Sequence, residues 1–228
     1  MYMEKEYRNI GFIFLLFIPL TFLGFYKTYF ILSPEFEGTV DTYTHIHAFV
    51  ASLWITLLIV QPLLIRSKNF SLHRTFGKIS YAVFFVLILS FIPQMIKEYG
   101  KGLFPLNASF DIGLLMLFYF LAIKHKKDVA IHMRYMITIA LIFVGPTLGR
   151  IIFFLLELEH LGLLQIPYLI VIATIISLIF WDRKNGKNYK PYLVVIAVFS
   201  IYLISLYAID VNLKWLIKFK RTTNIGYT

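Results

Sequence analysis

Apolar residues run along this chain in long blocks, and short polar and basic stretches separate them. Seven such blocks stand out, at about 9–30, 44–65, 71–95, 110–123, 129–156, 163–181 and 192–209. A helix needs about 17–25 apolar residues to cross a bilayer, and the block at 110–123 is the shortest of the seven. In lipid a backbone must satisfy its own N–H and C=O groups, so the blocks are expected to be helices. The loops between them are short, which makes neighbouring spans antiparallel. No soluble domain, low-complexity tract or repeat interrupts the pattern. The expected fold is all-α, a polytopic transmembrane helix bundle of about seven spans, forming one integral membrane domain over 1–228.

Composition supports this. The chain is 59% hydrophobic and 15% charged, where a soluble domain carries about 25% charged residues. That much apolar surface exceeds what one water-soluble core holds, and the bilayer is the expected partner. A net charge of +10 raises the question of nucleic acid. Lys and Arg, however, gather in the short loops, which marks topology, so no nucleic-acid partner is expected. One set of alternate segments carries 14 Lys and Arg and the other carries 7, with Arg150 left inside a block. The positive-inside rule then puts the N-terminus and the loops at 66–72, 124–128 and 182–191 in the cytoplasm, in a cell inner (plasma) membrane protein. With seven spans the tail lies outside. Its own basic cluster, Lys214 to Arg221, argues instead for a last helix that continues onto a membrane surface. The first block lacks an A-x-A-like cleavage site and is taken as an uncleaved span. There are no cysteines, which excludes disulfides, thiolate metal sites and cysteine nucleophiles.

Polar residues inside the blocks carry the candidate chemistry. Residues 45–66 read HIHAFVASLWITLLIVQPLLIR, in which His47, Trp54 and Gln61 recur every seven residues. Such a stripe drifts only about 20° per heptad, and a Gln in hydrocarbon needs a partner, so the stripe is expected to face the bundle. With Thr44, Ser71 and Asp128 as N-caps, His47, His73 and His132 fall at the third, second and fourth helical positions. The positive end of a helix disfavours imidazolium, so neutral rings are expected, the form that binds metals and haem iron. His47 belongs to the outer boundary, and His73 and His132 to the inner one. One zinc shared by all three would have to bridge about 30 Å and is not expected. Arg150 lies five turns beyond His132 and so at the depth of His47. An arginine inside a span is costly and functional by default. Asp111 is its first expected partner and Glu157 its second. His45, His125 and His160 are read as boundary residues, Trp54 on its own as packing, and the basic loops as lipid-phosphate contacts.

The combination His47-x6-Trp54-x6-Gln61, Leu72-His-Arg-Thr-Phe-Gly77 and His132-Met-Arg-Tyr-Met136, followed by Arg150, resembles a group of uncharacterised bacterial multi-pass membrane proteins. Those carry an H…W…Q span, an LHR-x-x-G turn and an H-x-R-x-M helix. The resemblance covers about residues 44–155 and supplies no reaction. More loosely, histidines at span ends resemble those of the cytochrome b561-like membrane cytochromes, where paired histidines hold haem b. The fourth block has no internal histidine, so an outer ligand pair is missing. By this resemblance the expected function is haem binding or redox-associated electron transfer. His73 and His132 are the expected axial ligands of one haem b, and Arg74, Lys78 and Arg134 would neutralise its propionates. The same parts suit an anionic lipid or a quinone headgroup. The rivals are a metal-dependent membrane hydrolase, which needs three ligands at one depth, and a non-enzymatic transporter, lipid-binding or assembly-factor protein, which needs only a polar track between helices.

Overall fold

The computed structural model describes residues 4–36, 40–100, 106–156 and 166–223. Among them there is no strand, and each expected apolar block is helical over most of its described length. The elements are α1 (Ile10–Phe14), α2 (Phe17–Phe25), α3 (Thr42–Arg66), α4 (Phe70–Gly100), α5 (Leu106–Lys124), α6 (Val129–Arg150), α7 (Ile166–Lys184) and α8 (Lys190–Thr223). Short 3-10 turns occupy Lys5–Tyr7 and Phe30–Leu32, and a π-turn at Ile151–Leu155 follows α6. Among the described residues, five stretches are long and apolar enough to cross a membrane: Lys5–Phe25, Thr42–Arg66, Phe70–Gly100, Val129–Phe154 and Ile166–Lys184. Lys190–Ser205 is a shorter apolar helix. The span count is therefore five to seven. These helices turn large apolar side chains outward, with Phe49 65% and Phe85 64% exposed, as a lipid environment allows.

Local chemistry sets the helix ends, and two of the three expected caps move. The N-cap of α3 is Asp41, not Thr44; its Oδ1 accepts the Thr44 N–H (2.8 Å) and the Thr44 hydroxyl (2.6 Å). These bonds, the hydroxyl first, and the charge of Lys97 hold the Asp41 carboxyl below its ordinary value. A longer polar side chain three residues upstream thus outcompetes the threonine, which becomes its donor. At α4 the cap is Asn69, not Ser71: its Oδ1 takes the Leu72 N–H and its carbonyl the His73 N–H. Asp128 caps α6 as expected, through the Ile131 N–H at 3.1 Å. His47 is consequently the sixth residue of α3, and His73 and His132 are each the fourth of their helices. The first span is broken at Leu15–Leu16. Pro19 has no N–H to give the Leu15 carbonyl, and the Ile18 N–H bonds it instead at 3.1 Å. The last helix runs past residue 209 to Thr223, with side chains described as far as Ala208.

The helices fall into two compact units, Met1–Pro167 and Tyr168–Thr228. In the first, α1 packs on α3, α3 on α4, α4 on α5, α5 on α6, and α6 on α2. Since α1 and α2 are halves of one span, these contacts close into a ring. Glycines allow the closure: a Cβ at Gly11 would lie 2.7 Å from Leu63 Cδ2, and one at Gly24 would lie 2.5 Å from Thr147 Cγ2 and 2.9 Å from the Thr147 carbonyl. Small residues that let backbones approach are the usual glue between membrane helices. In the second unit, α7 ends in a Schellman turn with Gly186 at φ +64, where the Lys187 N–H reaches the Asp182 carbonyl (2.8 Å). There Tyr168 meets Tyr202 edge-on, with ring centres 5.0 Å apart.

Gly24→Ala is expected to destabilise the first unit by about 1–3 kcal/mol, because the Thr147 backbone cannot yield as a side chain would. Thermal unfolding in detergent checks this against Gly113→Ala, which meets nothing within 4 Å and is expected to match wild type.

Candidate functional site

The expected stripe on α3 does face the bundle, and its partner is α4. Stepping along α3, His47 meets Ser90, Trp54 meets Phe84 and Gln61 meets His73 and Gly77. Beyond His47 the same antiparallel register pairs Thr44 with Gln94 (3.0 Å) and Asp41 with Lys97 (3.4 Å). Trp54 is 1% exposed and also meets Tyr119 of α5 edge-on, at 5.5 Å between ring centres. Its Nε1–H has no hydrogen-bond partner among the described residues. Tyr119 in turn stacks on Phe84 (3.9 Å) and gives its hydroxyl proton to Ser80 Oγ (3.1 Å), since Ser80 donates its own to the Gly77 carbonyl.

Hydrogen-bond roles fix the histidine protons. Ser90 donates its one proton to the Leu87 carbonyl (2.6 Å), so toward His47 it only accepts. His47 Nδ1–H therefore donates to Ser90 Oγ at 2.8 Å, and in the neutral ring Nε2 is a lone pair. His132 Nδ1–H donates to the Ala122 carbonyl (2.8 Å), one of the last four of α5 that a helix leaves without N–H partners. Its Nε2 is likewise a lone pair. His73 is different. Turned so that its oxygen faces the donor and its nitrogen the acceptor, the Gln61 amide bonds both ends of one rung of α4, accepting the Gly77 N–H (2.9 Å) and donating to the His73 carbonyl (3.2 Å). With its oxygen held by an N–H and its nitrogen by a carbonyl, the amide has one orientation. Its N–H then points at His73 Nδ1, which must accept. In that orientation the His73 proton is on Nε2, and the Gln61 main-chain carbonyl also faces the ring.

A charge on His132 would be felt at His73, as that of Arg74 is. Arg74 and Lys78 of α4 are exposed. Arg134 is placed otherwise. It is 0% exposed, pairs with Glu4 Oε2 at 2.8 Å, donates to the Ala130 carbonyl at 2.9 Å and lies over the Tyr7 ring at 5.2 Å. Glu4 and Tyr7 precede the first apolar block, and nothing in their own spacing pointed to α6. Arg66 similarly reaches the Asn9 side chain and the Arg8 carbonyl and covers Phe12. The N-terminal segment is thus pinned at the end that carries His73 and His132.

At the opposite end Arg150 lies over the Phe25 ring (4.5 Å), donates to the Pro146 carbonyl (3.3 Å) and is close enough for its charge to act on His47. The π-turn begins at the next residue, a distortion frequent at functional sites. Asp111 is buried in α5, and Glu157 lies outside the described residues. Among the described residues no three of His, Asp and Glu come together as a metal-binding group. No family model matches the chain, and no curated protein or solved structure matches it.

Removing Glu4 takes away the carboxylate 2.8 Å from a buried guanidinium. Glu4→Ala is expected to cost about 3–5 kcal/mol, and Glu4→Ala with Arg134→Leu is expected to recover part of that loss. Denaturant unfolding of the two variants in detergent measures the difference; a Glu4→Ala protein as stable as wild type would mean that Arg134 needs no carboxylate.

Proposed function

We propose that this is a bacterial-type inner-membrane protein, with its N-terminus in the cytoplasm, that binds the polar head of a membrane-soluble quinone at the His73–His132 pair. What supports this reading is the opposite protonation of two imidazoles within electrostatic reach of each other. His73 offers an Nε2–H, and His132 offers an Nε2 lone pair. A quinone carbonyl accepts from the first, and a quinol hydroxyl donates to the second. The two forms of one ligand therefore each have a partner. A phosphate head would accept from His73 but meet a lone pair at His132, which makes an anionic lipid the weaker occupant. The exposed Arg74 adds positive charge within reach of His73.

Haem b fits the pair poorly. Axial ligation takes a lone pair from each ring, usually with the other nitrogen's proton given to a carbonyl or carboxylate. His132 has that arrangement and His73 has the reverse. Arg134, counted among the propionate partners, is already held by Glu4.

A short-chain benzoquinone titrated into purified protein in nanodiscs is expected to bind saturably. His73→Ala and His132→Ala are each expected to weaken binding about tenfold, near the loss of one buried hydrogen bond. Competition by anionic lipid but not by quinone would move the reading to a lipid headgroup. A Soret band in protein expressed with ample haem, lost in His73→Ala, would replace it with the haem reading.

A further inference from the structure

We infer that Gln61 is the positioning residue that decides what the His73–His132 pair binds, by dictating which His73 nitrogen carries the proton. This rests on the quinone reading for its ligand, but the device is read from hydrogen bonds alone. The amide comes from α3 and the imidazole from α4, so the His73 proton is assigned by a neighbouring helix. Three bonds act together: Gly77 N–H to the amide oxygen, the amide nitrogen to the His73 carbonyl, and the amide nitrogen to His73 Nδ1. Two of the partners are backbone groups whose roles never change. Rotating the amide to accept from Nδ1–H would set its NH2 against the Gly77 N–H and its oxygen against the His73 carbonyl, leaving both amide bonds to the backbone broken. Gly77 has no side chain to cover this rung, and Gln61 lies against it.

The consequence is chemical. While Gln61 holds Nδ1, His73 cannot present a lone pair at Nε2, so it cannot join His132 as a second ligand to one metal or iron. It presents a donor instead, and the pair becomes one donor and one acceptor, selective for a carbonyl or hydroxyl oxygen. A glutamate at 61 would still accept the Gly77 N–H, but toward His73 it has no proton to give. It would accept from Nδ1–H and reverse the assignment. A glutamine here is therefore a choice of ligand class as well as a satisfied polar group.

Nitrogen-detected NMR of protein labelled with 15N-histidine tests this. In wild type the His73 Nδ1 signal is expected in the unprotonated range and Nε2 in the protonated range, with His132 reversed. In Gln61→Glu the His73 Nδ1 signal is expected to move to the protonated range, while His132 stays put and reports that the fold is intact. A protonated His73 Nδ1 in wild type would overturn the inference without any variant, and so would a His73 Nδ1 that Gln61→Glu leaves unprotonated. Adding a short-chain benzoquinone to the labelled wild type separates the two proposals. Nitrogen assignments as expected, with neither Nε2 signal shifted by quinone, would sink the quinone reading and leave the role of Gln61 standing.

Discussion

Lipid offers no water to a stranded polar side chain, so each polar group that α3 turns into the bundle must find its partner on the helix beside it. The seam between α3 and α4 is the result. Asp41, Thr44, His47 and Gln61 each bond a group on α4, and Trp54 fills the gap between them with its ring against Phe84. An unmade bond in hydrocarbon costs more than a made one gains. The seam therefore specifies register more than it adds stability: sliding α3 by one turn would strand Thr44, His47 and Gln61 together, while the exposed Asp41 would turn to water. The remaining contacts of the first unit follow from that fixed pair. α5 packs on α4 through Tyr119, α6 caps the end of α5 through His132, and the broken first span closes the ring through Gly11 and Gly24.

The two ends of this bundle differ chemically. At the N-terminal end the histidines differ from each other in protonation, and the guanidinium nearby is neutralised by Glu4. At the other end His47 bears a lone pair near the charge of Arg150, which has aromatic and carbonyl neighbours. The ends are joined by α3, whose Trp54 Nε1–H is left without a partner in the middle of the seam. There the packing of a large ring was kept at the expense of a hydrogen bond.

Much of this was legible in the sequence. The apolar blocks gave the helices, since lipid length and composition leave few alternatives. The seven-residue stripe gave the buried face of α3, because a Gln inside hydrocarbon has to point at protein. The matching depths of His73 and His132 followed from where their helices begin. Other features lay beyond it for physical reasons. The caps at Asp41 and Asn69 depend on which of several polar residues reaches back to the free N–H groups. The Glu4–Arg134 bond joins residues 130 positions apart. The His73 proton depends on the orientation of an amide on a different helix, which no spacing encodes.

Because the chain has no cysteine, the seam can be measured directly. Thr44→Cys with Gln94→Cys, treated in native membranes with a short bifunctional thiol reagent, is the decisive pair, and Tyr43→Cys with Gln94→Cys is its control. Tyr43 is exposed on the outward face of α3, while Thr44 bonds Gln94. The account predicts rapid crosslinking of the first pair and little of the second. Equal crosslinking of both, or preference for the Tyr43 pair, would mean that α3 does not meet α4 along the His47–Trp54–Gln61 stripe, and the placement of His73 against Gln61 would fall with it.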